Sequence, residues 1–407
     1  MLDASKRNIV HFDLDTFFVS VERLLDSKLE NKPILIGGNS DRGVVASCSY
    51  ETRRFGIHSG MPMRLAKQLC PEAIIIRGNS GVYSKHSDTV AEIIAETVPV
   101  FERASVDEFY ADLSGMDQFF GVYALSGELR QRIKKQAGLP ISFGLSSSKT
   151  VSKIATGEAK PNNQLKIDYG TEKPFMAPLS VRKIPMVGEA THKTLLDLGI
   201  KRILTLQEME VSLLESVFGK NGRTIWHKAQ GVDNSPVVQF QERKSVSTER
   251  TFNKDTIDMK KLRDILIAMT ENLAFQLRRA NKVAAVVSVR VRYSDFQTHE
   301  KQVNIGYTAA DHILIPTVLE LFKKLYQRRV LVRLIGIRLG KIVSGGYQIN
   351  LLEDSEELIK LYQAMDNIRN RFGDRAVMRT CGMDARTIGR GNPFTGGPPP
   401  LLANRRR

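Results

Sequence analysis

The sequence predicts an α+β chain, its first half built on a ferredoxin-like unit and its second half on a smaller basic α/β domain. Three observations lead there. Between residues 8 and 146 the apolar periodicity follows the order β-α-β-β-α-β, with one glycine-punctuated insertion. Short helical patterns fill residues 180 to 230, and beyond residue 244 the β-α-β-β-α-β order returns. The charge is skewed: 60 Lys and Arg stand against 44 Asp and Glu, a net +16, and residues 242–345 hold 20 basic against 10 acidic residues. That surplus favours a polyanionic partner, nucleic acid first and anionic lipid second.

Composition excludes several classes. At roughly 150 residues per domain, the 407 residues make two to four domains. Hydrophobic residues at 42% and charged residues at 26% are ordinary for a globular protein. No apolar run approaches the ~20 residues of a membrane helix. The start, MLDASKRNIVHFDLD, has no signal-peptide core. Cys48, Cys70 and Cys381 form no CxxC pair, which argues against a disulfide framework or a zinc site. A cytoplasmic protein without membrane contact is expected.

The elements follow in order. NIVHFDL (8–14) reads as a buried strand. Residues 16–25 switch to a helix with Phe17, Val21 and Leu24 on one side, and Asp15 is placed to cap it. Residues 15–78 form the insertion, with the short segments PILIGG, RGVVAS, YETRRFG, MRLAKQL and AIIIRGN. A helix at 80–97, a strand at 99–105, a reversal at Val106-Asp107-Glu108 into FYADLSG, a helix at 121–137 and a strand at 141–146 complete the unit. In this topology the first strand runs antiparallel to the third. Asp13, at the end of the first, therefore meets Asp107 and Glu108 in the turn between the second and third.

Within 180–230, IPMVGEATHKTLLDLGI resembles a helix-hairpin-helix, whose glycine turn offers backbone N–H groups to a phosphate. Met186 replaces the first glycine of that turn, and Gly188 remains. Residues 233–244 read as a linker. The helix at 259–279 carries Leu262, Ile265, Leu266, Met269, Leu273 and Leu277 on one face. In VSVRVRY, Val287, Val289, Val291 and Tyr293 face one way, and Ser288, Arg290 and Arg292 the other. An arginine-bearing sheet face suits a nucleic-acid backbone. From Gly345 an extended peptide leads into an amphipathic helix, and the Gly-, Pro- and Arg-rich end reads as disordered.

Three carboxylates converging in a basic protein call for divalent cations, which remove their mutual repulsion. Oxygen donors suit Mg²⁺. Two ions about 4 Å apart stabilise both the attacking and the leaving oxygen of an in-line displacement at phosphorus. A nucleoside triphosphate and a hydroxyl nucleophile are the natural reactants. Ser47, Tyr50, Arg53 and Lys160 supply groups that grip a triphosphate, and Tyr50 and Arg53, three apart, share a helix face. Taken singly, each could equally be a cap or a surface residue.

Together, HFDLDTFFVSVE, SYETRRFGIHSGMP, SVDEFYADLSG, GLSSSKTVSKIATGEAKPN and RKSVSTERTF resemble the Y-family translesion DNA polymerases, bacterial members above all, from about residue 8 to 345. The resemblance implies a right-hand polymerase. Its ferredoxin-like palm would be residues 1–17 and 79–168, its small fingers 18–78 and its helical thumb 169–235. A linker at 236–243, an α/β little finger at 244–345 and a tail at 346–407 would follow. It implies that Asp13, Asp107 and Glu108 hold two Mg²⁺ ions, with the Leu14 carbonyl as a further ligand and Glu108 as the active-site acid. Ser47, Tyr50, Arg53 and Lys160 match triphosphate-binding positions. Phe18 matches the steric gate against a 2′-hydroxyl, and Phe17 faces the nucleotide. Gly188, Arg250, Arg290 and Arg292 are candidate DNA contacts. Gln348-Ile349-Asn350-Leu351-Leu352 resembles the Q-x-x-L-[FL] peptide that binds the bacterial sliding clamp.

The implied activity is low-fidelity, template-directed addition of dNMP from dNTP to a primer 3′-hydroxyl, by a monomer acting on primed DNA. A nucleotide cyclase, which also places acids on such a sheet, and a catalytically inactive DNA-binding accessory stand as alternatives.

Overall fold

The computed structural model describes residues 7–40, 42–118, 121–240, 242–345, 355–373 and 376–381. The chain divides into two compact units between Gln241 and Glu242.

The first unit opens with β1 (Ile9–Leu14), α1 (Phe17–Leu25), β2 (Ile34–Gly37), β3 (Val45–Cys48), α2 (Tyr50–Arg53), α3 (Met63–Leu69) and β4 (Ile74–Ile76). It continues with α4 (Ser80–Thr97), β5 (Phe101–Arg103), β6 (Glu108–Asp112), α5 (Val122–Ala137), β7 (Ile141–Ser146), α6 (Lys149–Ala159) and β8 (Gln164–Lys166). The helices α7 (Glu172–Met176), α8 (Glu189–Asp197), α9 (Ile203–Glu208), α10 (Val211–Phe218) and α11 (Lys220–Ala229) close it.

The main sheet has the order β5-β6-β1-β7-β8. Its first four strands are those of a ferredoxin-like unit, as the periodicity predicts. The short β8, parallel to β7, is an addition that three residues of sequence did not reveal. Val90 and Ile94 of α4 and Leu129 and Ile133 of α5 pack with Phe12, Phe109 and Phe143 from one face of this sheet. Helix α6 lies against the other face, where His11 and Gly144 stand in register. A Cβ on Gly144 would fall 2.3 Å from the Ser152 carbonyl oxygen and 2.6 Å from the Thr156 nitrogen. The missing side chain is thus what lets α6 approach β7 so closely.

The insertion folds as a small sheet of order β3-β2-β4 with its own core around Leu35, Val45, Cys48 and Met63. Helices α7 to α11 enclose another with one face of α6, Val151, Ile154 and Ala155 packing with Met176, Ile184, Leu195, Leu206 and Ile225.

Two local expectations give way in α1. Phe17 and Val21 are buried, but Leu24 is 46% exposed; Val19 and Ser20 are buried instead. Nor does Asp15 cap the helix. Thr16 holds the N-cap position in a left-handed conformation (φ 42°) with no side-chain cap bond. Asp15 is buried and turned away, accepting from the Ser142 hydroxyl at 2.9 Å and the Asn162 N–H at 2.6 Å. It ties β1, β7 and the turn after α6 together.

The segment read as a linker is extended but strapped down at its start. Arg7 donates to the carbonyls of Asp233 and Ser235, Thr150 donates to the Asp233 carboxylate, and Val237 is buried with Ile9 and Tyr110.

The second unit consists of β9 (Ser245–Thr256), α12 (Met259–Arg279), β10 (Lys282–Tyr293), β11 (Thr298–Thr308), α13 (Asp311–Leu325), β12 (Val332–Gly340), β13 (Val343–Ser344) and α14 (Ser355–Phe372). The element order repeats that of the first unit, but the strand order does not. It is β11-β10-β12-β9, with β10 and β12 at the centre. All six predicted core residues of α12 are buried. The helix placed in the tail is a packed part of this unit. Tyr362 of α14 is buried, its hydroxyl accepting from the His312 backbone N–H at 3.1 Å, and Asp366 accepts from Arg278 at 2.6 and 2.9 Å.

Two substitutions test the packing of the first unit. Gly144→Ala should cost about 1–3 kcal/mol, as overpacking does, seen as a lower urea midpoint. Asp15→Ala strands a buried hydroxyl and a backbone N–H and should also cost about 1–3 kcal/mol. A midpoint equal to the parent's in either variant would remove that residue from the packing argument.

Candidate active site

The antiparallel pairing of β1 with β6 sets Asp13 opposite Glu108. Asp107 precedes Glu108, and its carbonyl accepts from the Leu14 N–H at 3.0 Å, so strand pairing carries on to the turn. The Ser105 hydroxyl donates to the Asp107 carboxylate at 2.5 Å and accepts from the Glu108 N–H at 3.0 Å, which fixes that turn. Residues far apart in sequence thereby present three carboxylates and the Leu14 carbonyl at one end of the sheet.

A cleft of 220 Å³ opens beside them. Asp13, Leu14, Asp107 and Lys160 line one part of it, and Phe17, Phe18, Ser47 and Arg53 another. Eight of the predicted residues thus share one cavity. Glu108 and Tyr50 stand beside it and are not part of its lining.

Expected repulsion within the acidic cluster is already offset by lysines. Lys160 donates to Asp13 at 2.5 Å, and Lys153 donates to both Glu108 oxygens at 2.7 and 2.6 Å. Burial pushes the Asp13 carboxyl up, to about 6, against the pull of Lys160. Burial also opposes ionisation of Glu108, but contacts from His11 and Lys153 outweigh it and hold that carboxyl well below its usual range. His11 is fully buried, which lowers its pKa and favours the neutral ring; its Nδ1 meets the Thr156 hydroxyl at 2.9 Å. With Asp13 and Glu108 held by lysines and Asp107 by Ser105, no group of three metal-binding side chains closes among the described residues. The donor set itself, carboxylate and carbonyl oxygen without sulfur, suits a hard divalent cation.

The triphosphate candidates come from the insertion and from α6. Ser49 caps α2, accepting from the Thr52 N–H, and starts the helix so that Tyr50 and Arg53 share a face. The Arg53 guanidinium lies 5.1 Å from the centre of the Tyr50 ring. The Tyr50 hydroxyl is buried and makes no hydrogen bond. Burial and the nearby Asp15 carboxylate raise its pKa, so it remains a donor. Ser47 is buried on β3.

Phe17 is buried in the core, 3% exposed, while Phe18 is only partly buried. Phe18 stacks on Tyr83 of α4, with ring centres 4.4 Å apart and planes 16° from parallel. The Tyr83 hydroxyl in turn donates to Glu22 at 2.5 Å. Sequence reasoning missed Tyr83, because nothing in the α4 pattern marks which neighbour it meets. It also missed Lys153, for which there was a signal: Lys149 and Lys153, one helical turn apart, begin the helix beside the acidic turn.

The DNA candidates divide. Gly188 is the N-cap residue of α8, and Met186 before it has φ 82°, a glycine-type conformation held by an exposed methionine. In the second unit Arg290 and Arg292 stand on the sheet's open face. Arg292 donates to the Thr298 hydroxyl at 2.7 Å, and Arg290 is engaged by two glutamates. Arg250 departs from that set. It pairs with Ile335, which pairs with buried Val291, so it belongs to the helix-covered face. Gln348, Leu351 and Leu352 lie outside the described residues. No helix among the described residues is long and apolar enough to cross a membrane.

Residues 12–157 match the impB/mucB/samB family, and residues 243–351 match the C-terminal domain of that family. The DNA polymerase IV of Dehalococcoides mccartyi (strain CBDB1) is 37% identical over 377 residues, covering 92% of this chain and 97% of the relative. That of Staphylococcus aureus (strain Newman) is 33% identical over 347 residues, or 84% and 98% of the two chains. Among solved structures, a Y-family DNA polymerase chimera of Dbh and Dpo4 shares the fold with a TM-score of 0.73 at 24% identity, across 83% of this chain and 99% of that one. An insertion ternary complex of Dbh DNA polymerase aligns at a TM-score of 0.60 with the same identity and coverage. These relatives do not favour a nucleotide cyclase or an inactive accessory. Relatives above 30% identity along nearly the whole chain, matched in both units, identify the owner of this acidic cleft: the chain belongs to the Y-family of translesion DNA polymerases.

Proposed function

We propose that the cleft adds dNMP from a dNTP to a primer 3′-hydroxyl, with Asp13, Asp107, Glu108 and the Leu14 carbonyl holding two Mg²⁺ ions. The observation that carries this reading is the register of β1 against β6, which puts three acids and a main-chain carbonyl beside a cleft lined by Arg53, Lys160 and Ser47. Bound there, the ions would acidify the primer hydroxyl and neutralise the charge that develops on the triphosphate and the departing pyrophosphate. The rest falls to the chain's own groups. Arg53, Lys160, Ser47 and the unpartnered Tyr50 hydroxyl bind phosphate oxygens and orient them. Phe18, backed by Tyr83, presents a ring held in place against the sugar, and Phe17 supports it from the core. Catalysis is then mainly positioning and charge neutralisation.

We assign residues 1–17 and 79–168 to the palm, 18–78 to the fingers, 169–235 to the thumb, 236–243 to the linker and 244–345 to the little finger. The cores of the insertion and of the second unit support the finger and little-finger assignments, whereas the helices after β8 share their core with Val151, Ile154 and Ala155 of α6. Fingers of this size enclose the nascent pair loosely, so shape discrimination is weak and damaged templates are accepted. We place duplex contacts at the Gly188 turn and at the open face bearing Arg290 and Arg292; Arg250 stands on the opposite, helix-covered face. The peptide 348–352 is proposed as a sliding-clamp tether. A monomer working in the cytoplasm, where primed DNA and dNTPs meet, completes the reading.

Asp107→Ala should reduce primer extension by at least about 10³-fold, in keeping with the loss of preorganised charge stabilisation, while primed-DNA affinity stays within about twofold. Comparable extension rates would refute the assignment of the acids. Phe18→Ala should admit ribonucleotides in single-nucleotide incorporation, and unchanged sugar selectivity would take the gate role from Phe18.

A further inference from the structure

On the open face of the second sheet, Arg290 of β10 does not stand free. Its Nη1 donates to Glu249 Oε1 of β9 at 2.6 Å, and its Nε and Nη2 donate to Glu300 Oε2 of β11 at 3.0 and 2.8 Å. Strands β9 and β10 are not neighbours, because β12 runs between them. The β12 residue in register with both Glu249 and Arg290 is Gly336. A Cβ there would fall 2.7 Å from Glu249 Cγ. The bare glycine is therefore what lets the ion pair reach across a strand. Ser288 donates to the other Glu300 oxygen at 2.6 Å, and this hydroxyl together with Arg290 holds the Glu300 carboxyl below its ordinary range.

Two carboxylates against Arg290, with Arg338 at the edge of the same pocket, leave no surplus positive charge at the centre of a strongly basic unit. A phosphate taking Arg290 would have to replace three charge-assisted hydrogen bonds and approach both acids. Arg292 and Arg338 lie to either side along the same face, Arg338 in register with Ser288 and Ser247.

We infer that Glu249 and Glu300 limit the affinity of this face for duplex DNA, withholding Arg290 from phosphate and leaving backbone contact to Arg292 and Arg338. The inference rests on the reading of the open face as a duplex surface. Its consequence is a grip looser than the arginine count implies, and a shorter stay on the primer.

The test is fluorescence anisotropy of the full chain with a labelled primed duplex across a salt series. Replacing both acids (E249Q with E300Q) should tighten binding about tenfold and steepen the salt slope by about one, the value for one added phosphate contact. Arg290→Ala in the parent should lower affinity less than Arg292→Ala does, and should cancel the gain when combined with E249Q and E300Q. Glu300→Gln alone, which keeps Glu249 in place, should give part of the gain if the double variant folds poorly. An unchanged affinity in the glutamine variants overturns the inference. So does a gain that survives Arg290→Ala, which would be bulk charge alone, or a loss on Arg290→Ala in the parent as large as that for Arg292→Ala. If Arg292→Ala and Arg338→Ala leave affinity and salt slope unchanged, the duplex reading of the face fails first, and the inference falls with it.

Discussion

The active cleft depends on one constraint, the antiparallel pairing of β1 with β6. Side chains directly opposite on paired strands lie within reach of each other, so this register sets the spacing between Asp13 and Glu108 before any side chain is placed. Slipping the register by one residue would turn every side chain of β1 to the other face. Phe12 and Val10 belong to the packed core with Phe109 and Phe143. Burial therefore enforces the register, and the register enforces the acidic cluster. The chemistry inherits its precision from hydrophobic packing.

Helix α6 supplies the balancing charge. It rests close on β7 over Gly144, carries Lys153 to Glu108, and delivers Lys160 to Asp13 just beyond its end. Buried or half-buried carboxylates without such partners would bind protons instead of cations or phosphate-bound ions. Asp15 has a different part. Its bonds to Ser142 and Asn162 hold the turn after α6 against the sheet, and its Oδ1 lies 3.6 Å from Lys160 Nζ, so the position of Lys160 depends on a buried carboxylate that is not part of the cleft lining.

Much of this was legible in sequence, for identifiable reasons. Strand and helix periodicities around Asp13 and Glu108 are strong and local, and the ferredoxin-like order leaves few ways to pair four strands. The meeting of the three carboxylates followed from that; the shared face of Tyr50 and Arg53 followed from their spacing, and the Leu14 carbonyl from the family resemblance alone. What failed to follow depends on tertiary neighbours. Asp15 has the residue type of a cap, but the buried Ser142 hydroxyl offered it a better use. Tyr83 reaches Phe18 only because α4 folds back past α1. Helix α14 was amphipathic in sequence, yet its partners Arg278 and His312 lie about fifty to ninety positions away, beyond any periodicity.

The two units also separate what element order fixes from what strand order fixes. Both read β-α-β-β-α-β. In the first, β1 and β6 are central, so acids at the end of one strand and the start of the other converge. In the second, β10 and β12 are central, so the alternating face of VSVRVRY and the glycine of β12 lie in the middle of an open surface. A pattern that predicts both sets of elements cannot choose between these orders, since each satisfies the same alternation and buries the same valines. The choice falls to pairings made far along the chain. Those pairings decide whether a given side chain becomes a cleft acid, a bridge across a bare glycine, or a cation on the open face.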